Sequence, residues 1–277
     1  MERQASSAAR GGGLVLALDA GSPLVSVAVG RGGEVLAARA VPQQRSSTQL
    51  LALVAEALAA AGARPADLEA VVALAGPGSF TGLRVGLATA LGLHQALRLR
   101  AHAVPTLAAM AAASAAPPGA PVIAAVDALR GEWSAQAFRA GLPVPLALGE
   151  MALVTPEELL RLLAPLAPMA PMTPGGGEAP TIVAFGAAAL SQAAAAAAGR
   201  GRVRFEEAPP LAPAALRLAA ALPPASWRAA SLAAPIYSRP PATTSPKARP
   251  AATPATAAAA AAAGALPARD AESRGKP

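Results

Sequence analysis

The chain contains no cysteine. That excludes disulfides, thiolate nucleophiles and metal sites built on thiolates. Lysine is almost missing: the only two, Lys247 and Lys276, lie near the C-terminal end. No lysine upstream of them can form a Schiff base or grip a phosphate as a point charge. Histidine is confined to His94 and His102, and neither has metal-ligand spacing with a carboxylate, so both read as structural or surface residues. Aromatics are 3% of the residues. Trp133, Trp227 and Tyr237 are too scattered for a platform that stacks nucleic-acid bases. No charge-free apolar run reaches the ~18 residues of a membrane span. The run from Leu14 stops at Asp19, and no signal-peptide layout precedes it. The expectation is a cytoplasmic protein without a membrane contact.

What remains is apolar and small. Hydrophobic residues make up 54% of 277, against 14% charged, enough for one large domain or two modest ones. Most of that apolar share is alanine, so packing must come from Leu, Val and Ala on closely set elements. The formal charge is +7, but six basic and two acidic residues fall from Arg239 onward, which leaves +3 for everything before it. The basic balance is therefore weak support for nucleic-acid binding by the folded part.

Short apolar runs and turn residues set the order of elements. Residues 1–13 are small and polar and read as a disordered extension. Leu14–Leu18, Leu24–Val29 and Glu34–Val41 read as three antiparallel strands, because the connections Asp19–Pro23 and Arg31–Gly33 are short turn sequences. Thr48–Ala61 has Leu50, Leu51, Val54 and Leu58 at helical spacing, with Gly62 as a stop. Val71–Ala75 is a strand, and Gly76–Gly82 leads into a helix reaching Arg98. Further strands are expected at 102–104, 122–126, 133–139, 181–185 and 202–206, and helices at 106–113, 187–198 and 211–222. Thr155-Pro156-Glu157-Glu158 is a capping box with proline at the first helical position. From Arg239 the chain is Pro/Ala-rich and reads as a disordered tail. Asp19-Ala20 and Asp127-Ala128 each end a strand, with Ser26 and Ser134 seven residues later. This repeat suggests a duplicated fold.

Two stretches carry possible chemistry. Asp19-Ala20-Gly21 is suited either to a phosphate loop, with backbone amides facing the anion, or to a plain hairpin turn. Gly76, Gly78 and Ser79 sit in a strand–loop–helix unit whose amides suit an anion, with Ser79 or Thr81 as cap. No lysine follows, so a Walker-type site is excluded. Gly82, Gly86 and Ala90 fall on one helix face. Such a face lets another backbone approach closely, either the protein's own or a second subunit's.

Leu16–Gly21, Gly76–Ala90, Asp127–Glu132 and Pro235-Ile236-Tyr237-Ser238-Arg239 resemble the TsaB (YeaZ) family, most densely between Leu14 and Ala113. The resemblance implies an α/β, actin-like ATPase (ASKHA) fold made of two RNase-H-like subdomains. These would be 14–105, completed by about 207–238, and 106–206, with 239–277 as tail. It implies a subunit with no catalytic residue and no metal. Such proteins pair with the catalytic relative TsaD and the ATPase TsaE. Together they place threonylcarbamoyl on N6 of adenosine 37 in tRNAs reading codons that begin with A. A homodimer in the absence of TsaD is left open. No cofactor is implied for this subunit alone, with ATP or ADP in the complex. The family contact uses the first two helices. Thr48, Leu51, Gly82, Leu83, Gly86 and Ala90 are the candidate interface residues here. Asp19, Gly21, Gly76, Gly78 and Ser79 are the candidate nucleotide loop. The two histidines that bind metal in TsaD fall at Thr106 and Met110. The family often has a histidine near its first helix, where this chain has Ser47. The rival readings are an active actin-like ATPase or sugar kinase using Asp19, and an M22-type metallopeptidase.

Overall fold

The computed structural model of the chain describes residues 12–43, 46–141, 144–162, 180–195 and 203–239. The expected tail beyond Arg239 and the N-terminal extension up to residue 11 lie outside the described residues, as does the stretch 163–179.

The first sheet opens with three antiparallel strands, β1 (Leu14–Asp19), β2 (Leu24–Arg31) and β3 (Glu34–Pro42). Two parallel strands, β4 (Leu68–Leu74) and β5 (Arg100–Val104), complete it on the other side of β1, giving the order β3-β2-β1-β4-β5. Helix α1 (Ser46–Ala60) connects β3 to β4, and α2 (Phe80–Leu97) connects β4 to β5. After α3 (Thr106–Ala113) the plan repeats. Strands β6 (Pro121–Asp127) and β7 (Trp133–Arg139) form a hairpin, and β8 (Leu146–Ala147) and β9 (Ala152–Val154) both pair with β7. Helix α4 (Pro156–Arg161) follows. Strands β10 (Thr181–Ala184) and β11 (Arg204–Glu207) then add parallel to β6, with α5 (Ala187–Ala195) between them in sequence. The second sheet is ordered β11-β10-β6-β7-β8. A hairpin, a third antiparallel strand and two parallel strands on the far side thus occur twice in the same order. That is the duplicated, actin-like α/β plan.

Layering explains the strand sequences. Helix α3 and the later helix α6 (Ala212–Ala221) lie between the sheets and share one core with Val72, Leu74 and Val104 of the first sheet and Val122, Ala124 and Val126 of the second. Helices α1 and α2 cover the other face of the first sheet, while α4 and α5 cover that of the second. Strands β1, β4 and β6 are buried on both faces and read as continuous apolar runs rather than alternating ones. The expected capping box forms at α4: Thr155 N donates to the Glu158 carboxylate at 2.9 Å, and Glu158 N donates to Thr155 Oγ1 at 3.3 Å.

The internal repeat is real at the level of topology but not residue by residue. Asp19 pairs across the hairpin with Ser26. Asp127 pairs instead with Trp133, and Ser134 with Val126. Counted between the last paired residues, the second turn, Ala128–Glu132, is one residue shorter than Ala20–Val25. A one-residue shift moves every side chain to the opposite face of its strand. The equal spacing of the two serines is therefore not an equivalence of position.

Candidate functional site

The two sheets open onto a cavity of about 950 Å³, with Gly21, Ser79 and Thr81 on one side and Asp127, Gly186 and Glu207 on the other. Its first wall is made where β1 and β4 end. Asp19 is 1% exposed. Its Oδ1 accepts from the amides of Gly21 at 3.0 Å and Ser22 at 3.1 Å, closing the turn. Burial pushes its carboxyl up to about 6, and the hydrogen bonding of Ser22 and Gly21 pulls the other way. The Ser22 hydroxyl makes no well-directed bond, and Oδ2 has no partner. An isolated buried carboxylate oxygen is costly, which is why the proton is held more tightly than on a free carboxyl.

The glycine loop docks onto this turn. Ser79 N donates to Gly21 O at 2.8 Å, and a side chain at Gly78 would place its Cβ 2.7 Å from that same oxygen. Gly76 has φ +107°, and any Cβ there would strike the carbonyl oxygen of Ile236. Ser79 caps α2, its hydroxyl accepting from Gly82 N at 3.3 Å. The structure therefore brings Asp19, Gly21, Gly76, Gly78 and Ser79 together. The amides of Gly21, Ser22 and Ser79, however, are already bonded inside the protein.

The opposite wall carries a group that the sequence did not announce. Glu207, at the end of β11, accepts from Gly186 N at 2.8 Å and Ala187 N at 2.9 Å. These amides open α5, where the helix dipole favours negative charge. A carboxylate of the chain itself occupies the place an anionic ligand would take. No local pattern points to Glu207, because its partners lie 20 and 21 residues away.

The candidate interface residues divide. Gly82, Leu83, Gly86 and Ala90 are buried within the chain. A Cβ on Gly82 would collide with the Ala20 carbonyl, and one on Gly86 would lie 3.4 Å from Ala20 Cβ. This corrects the expectation that they face a partner: the small face exists so that α2 can sit on the β1–β2 turn. Leu51 of α1 is the opposite case, with 60% of its surface exposed. Thr48 lies in the first turn of α1, and its side chain is outside the described residues.

Thr106 and Met110 are 2% and 0% exposed, and Thr106 N donates to Gly76 O at 2.8 Å. Among the described residues no group of three or more His, Cys, Asp or Glu is placed to hold a metal ion. His94 Nδ1 lies 2.6 Å from Leu99 O at the end of α2. His102 accepts from Arg228 N at 3.2 Å, its pKa lowered by burial first and the Arg228 charge second. Both histidines are structural.

A family model, TsaD: tRNA N6-adenosine threonylcarbamoyltransferase, matches residues 36–193, more than half of the chain. The chain belongs to this family. Its relatives within it lie on the TsaB/YeaZ branch. It is 35% identical over 119 residues to the tRNA threonylcarbamoyladenosine biosynthesis protein TsaB of Escherichia coli, covering 43% of this chain and 52% of that one. It is 40% identical over 96 residues to an uncharacterised protein of Mycobacterium tuberculosis, covering 34% and 46%. The chain thus spans about half the length of the curated relatives it matches. The solved structure of YeaZ from Pseudomonas aeruginosa superposes with a TM-score of 0.64 at 24% identity, over 81% of this chain and 99% of that one. That likeness bears on the fold: the TsaB/YeaZ branch shares the two-sheet plan described above. No described helix is long and apolar enough to cross a membrane.

Proposed function

We propose that the chain is a non-catalytic subunit of the machinery that makes threonylcarbamoyladenosine in tRNA. It pairs with a TsaD-type catalytic partner and holds that partner in a competent state. The observation that carries the non-catalytic reading is the fate of the two positions at which the catalytic relative keeps metal-binding histidines. Here they are Thr106 and Met110, a buried hydroxyl and a thioether packed into the inter-sheet core. Neither suits a catalytic metal. The cleft amides already bonded to Asp19 and Glu207 support the same reading, because an incoming phosphate would have to displace a carboxylate.

In this reading the cytoplasmic complex includes a TsaE-type ATPase, and ATP or ADP belongs to the complex rather than to this subunit alone. The acceptor is N6 of adenosine 37 in tRNAs for codons that begin with A. The partner surface is the outward side of α1 around Leu51 together with the exposed side of α2, and the same surface serves a homodimer when TsaD is absent. The decisive experiment is reconstitution with the cognate TsaD-type protein. Transfer to tRNA should need both chains, and this chain alone should neither transfer threonylcarbamoyl nor hydrolyse ATP. Turnover by the isolated chain that disappears with Asp19→Ala would overturn the proposal.

A further inference from the structure

Three segments that stand apart in the sequence meet at the mouth of the cleft: the glycine loop with the start of α2, the turn between β6 and β7, and residues 235–239. The last of these begins on the first sheet's side. Ile236 N donates to Ala75 O at 2.7 Å, and its side chain packs against the core under α1 and α2. Tyr237 follows. Its ring lies 5.0 Å from that of Phe80, and its hydroxyl accepts from Arg84 Nε at 3.1 Å. The Arg84 guanidinium in turn sits 3.8 Å over the Phe80 ring. Two residues later the chain reaches the second sheet's side. Arg239 donates to Ala128 O at 3.2 Å and forms an ion pair with Glu132.

The turn that Arg239 grips is strained. Leu129 and Arg130 have φ of 65° and 58°, left-handed values that side chains other than glycine's rarely adopt. Such a turn persists when its surroundings hold it. Arg239 is attached to both ends of it, at Ala128 and at Glu132. The two side chains are 32% and 37% exposed, so the pair is partly shielded from solvent yet free to open.

We propose that Ile236–Arg239 is a clamp across the cleft mouth. Ile236 and Tyr237 anchor it to the glycine-loop side, and Arg239 is the latch that holds the β6–β7 turn and sets the angle between the two sheets. The clamp is a property of the free chain and does not depend on the tRNA reading.

The absence of cysteine makes the test direct. In the full chain, Ala59→Cys on α1 and Ala188→Cys on α5, both exposed, carry a pair of spin labels, and pulsed electron resonance reads the distance between them. The otherwise unchanged chain should give one narrow distribution. Arg239→Ala and Glu132→Gln should each broaden it. Each should also speed amide exchange in residues 127–132 on the order of fivefold, as loss of one partly exposed ion pair would. The double variant should do no more than Arg239→Ala alone, since that substitution already removes the contact to Glu132 along with the one to Ala128. Melting curves confirm that each variant stays folded. A distribution unchanged by Arg239→Ala, one already broad in the parent, or additive effects in the double variant would overturn the clamp.

Discussion

The carboxylate of Glu207 closes on the amide of Gly186 at 2.8 Å, and so holds the opening turn of α5 from a strand 21 residues further along the chain. Its second bond, to Ala187, makes the cap bidentate. Glu207→Ala should lower the stability of the chain by about 1 kcal/mol, the usual cost of losing such a cap. It should also leave a vacant pair of amides facing the cleft. Inorganic phosphate should then raise the melting temperature of the variant more than that of the parent. Equal protection of both chains would mean that the amides are not the limiting feature of the cleft.

Gly86 makes a different expectation testable. Because its face of α2 rests on Ala20, Gly86→Leu should destabilise the isolated chain by roughly 1–3 kcal/mol through overpacking. Ala88→Leu, on the exposed side of the same helix, should change stability by less than about 0.5 kcal/mol. Urea melts of the two variants compare them. A Gly86→Leu chain that melts like the parent would return the small face to solvent.

Asp19 links stability to pH. Its carboxyl is raised from 3.8 to about 6 by burial, so the folded state binds the proton more tightly than the unfolded state does. The stabilising contribution is complete below about pH 4 and is lost as pH rises through 6. At neutral pH the ionised group costs on the order of 3 kcal/mol. Asp19→Asn keeps an oxygen to accept from Gly21 and Ser22 and has no charge to bury. It should be more stable than the parent at pH 7.5, with the difference shrinking toward pH 4. A parent chain that is the more stable at pH 7.5 would show that the ionised carboxylate is matched by something the unpartnered Oδ2 does not reveal.

Leu51 tests the proposed partner surface. It is 60% exposed on α1, so Leu51→Asp should leave the melting temperature of the free chain within a few degrees. A buried apolar anchor at an interface is worth about 2 kcal/mol or more, which corresponds to a loss of roughly 30-fold in affinity for a TsaD-type partner. Calorimetry of the two chains measures it. Undiminished affinity would move the contact away from α1.

The order of the longer strands and helices was legible from local signals. Turn chemistry at Asp19–Pro23 and Arg31–Gly33, the apolar runs of β1, β4 and β6, and the capping box at Thr155 all act within a few residues, and local signals report local structure. The glycine loop was legible for the same reason. The short strands β8 and β9 that pair with β7 were not, because edge strands of two or three residues carry too little pattern to stand out from loop.

What the sequence by itself determined is therefore the inventory: an α/β chain of small apolar residues, without cysteine, with one acid at the end of its first strand and one glycine-rich helix start. What only the tertiary structure decided is which surfaces those pieces show. The spacing of Gly82, Gly86 and Ala90 guarantees a narrow helix face but is silent on whether Ala20 or another chain fills it. The motif around Asp19 does not reveal that the carboxylate is buried with one oxygen unpartnered. Glu207 with Gly186, and Arg239 with Glu132, join residues 21 and 107 positions apart. The first pair is set by the parallel pairing of β10 with β11 and the second by how two sheets pack around α3 and α6, and no periodicity in the chain encodes either distance.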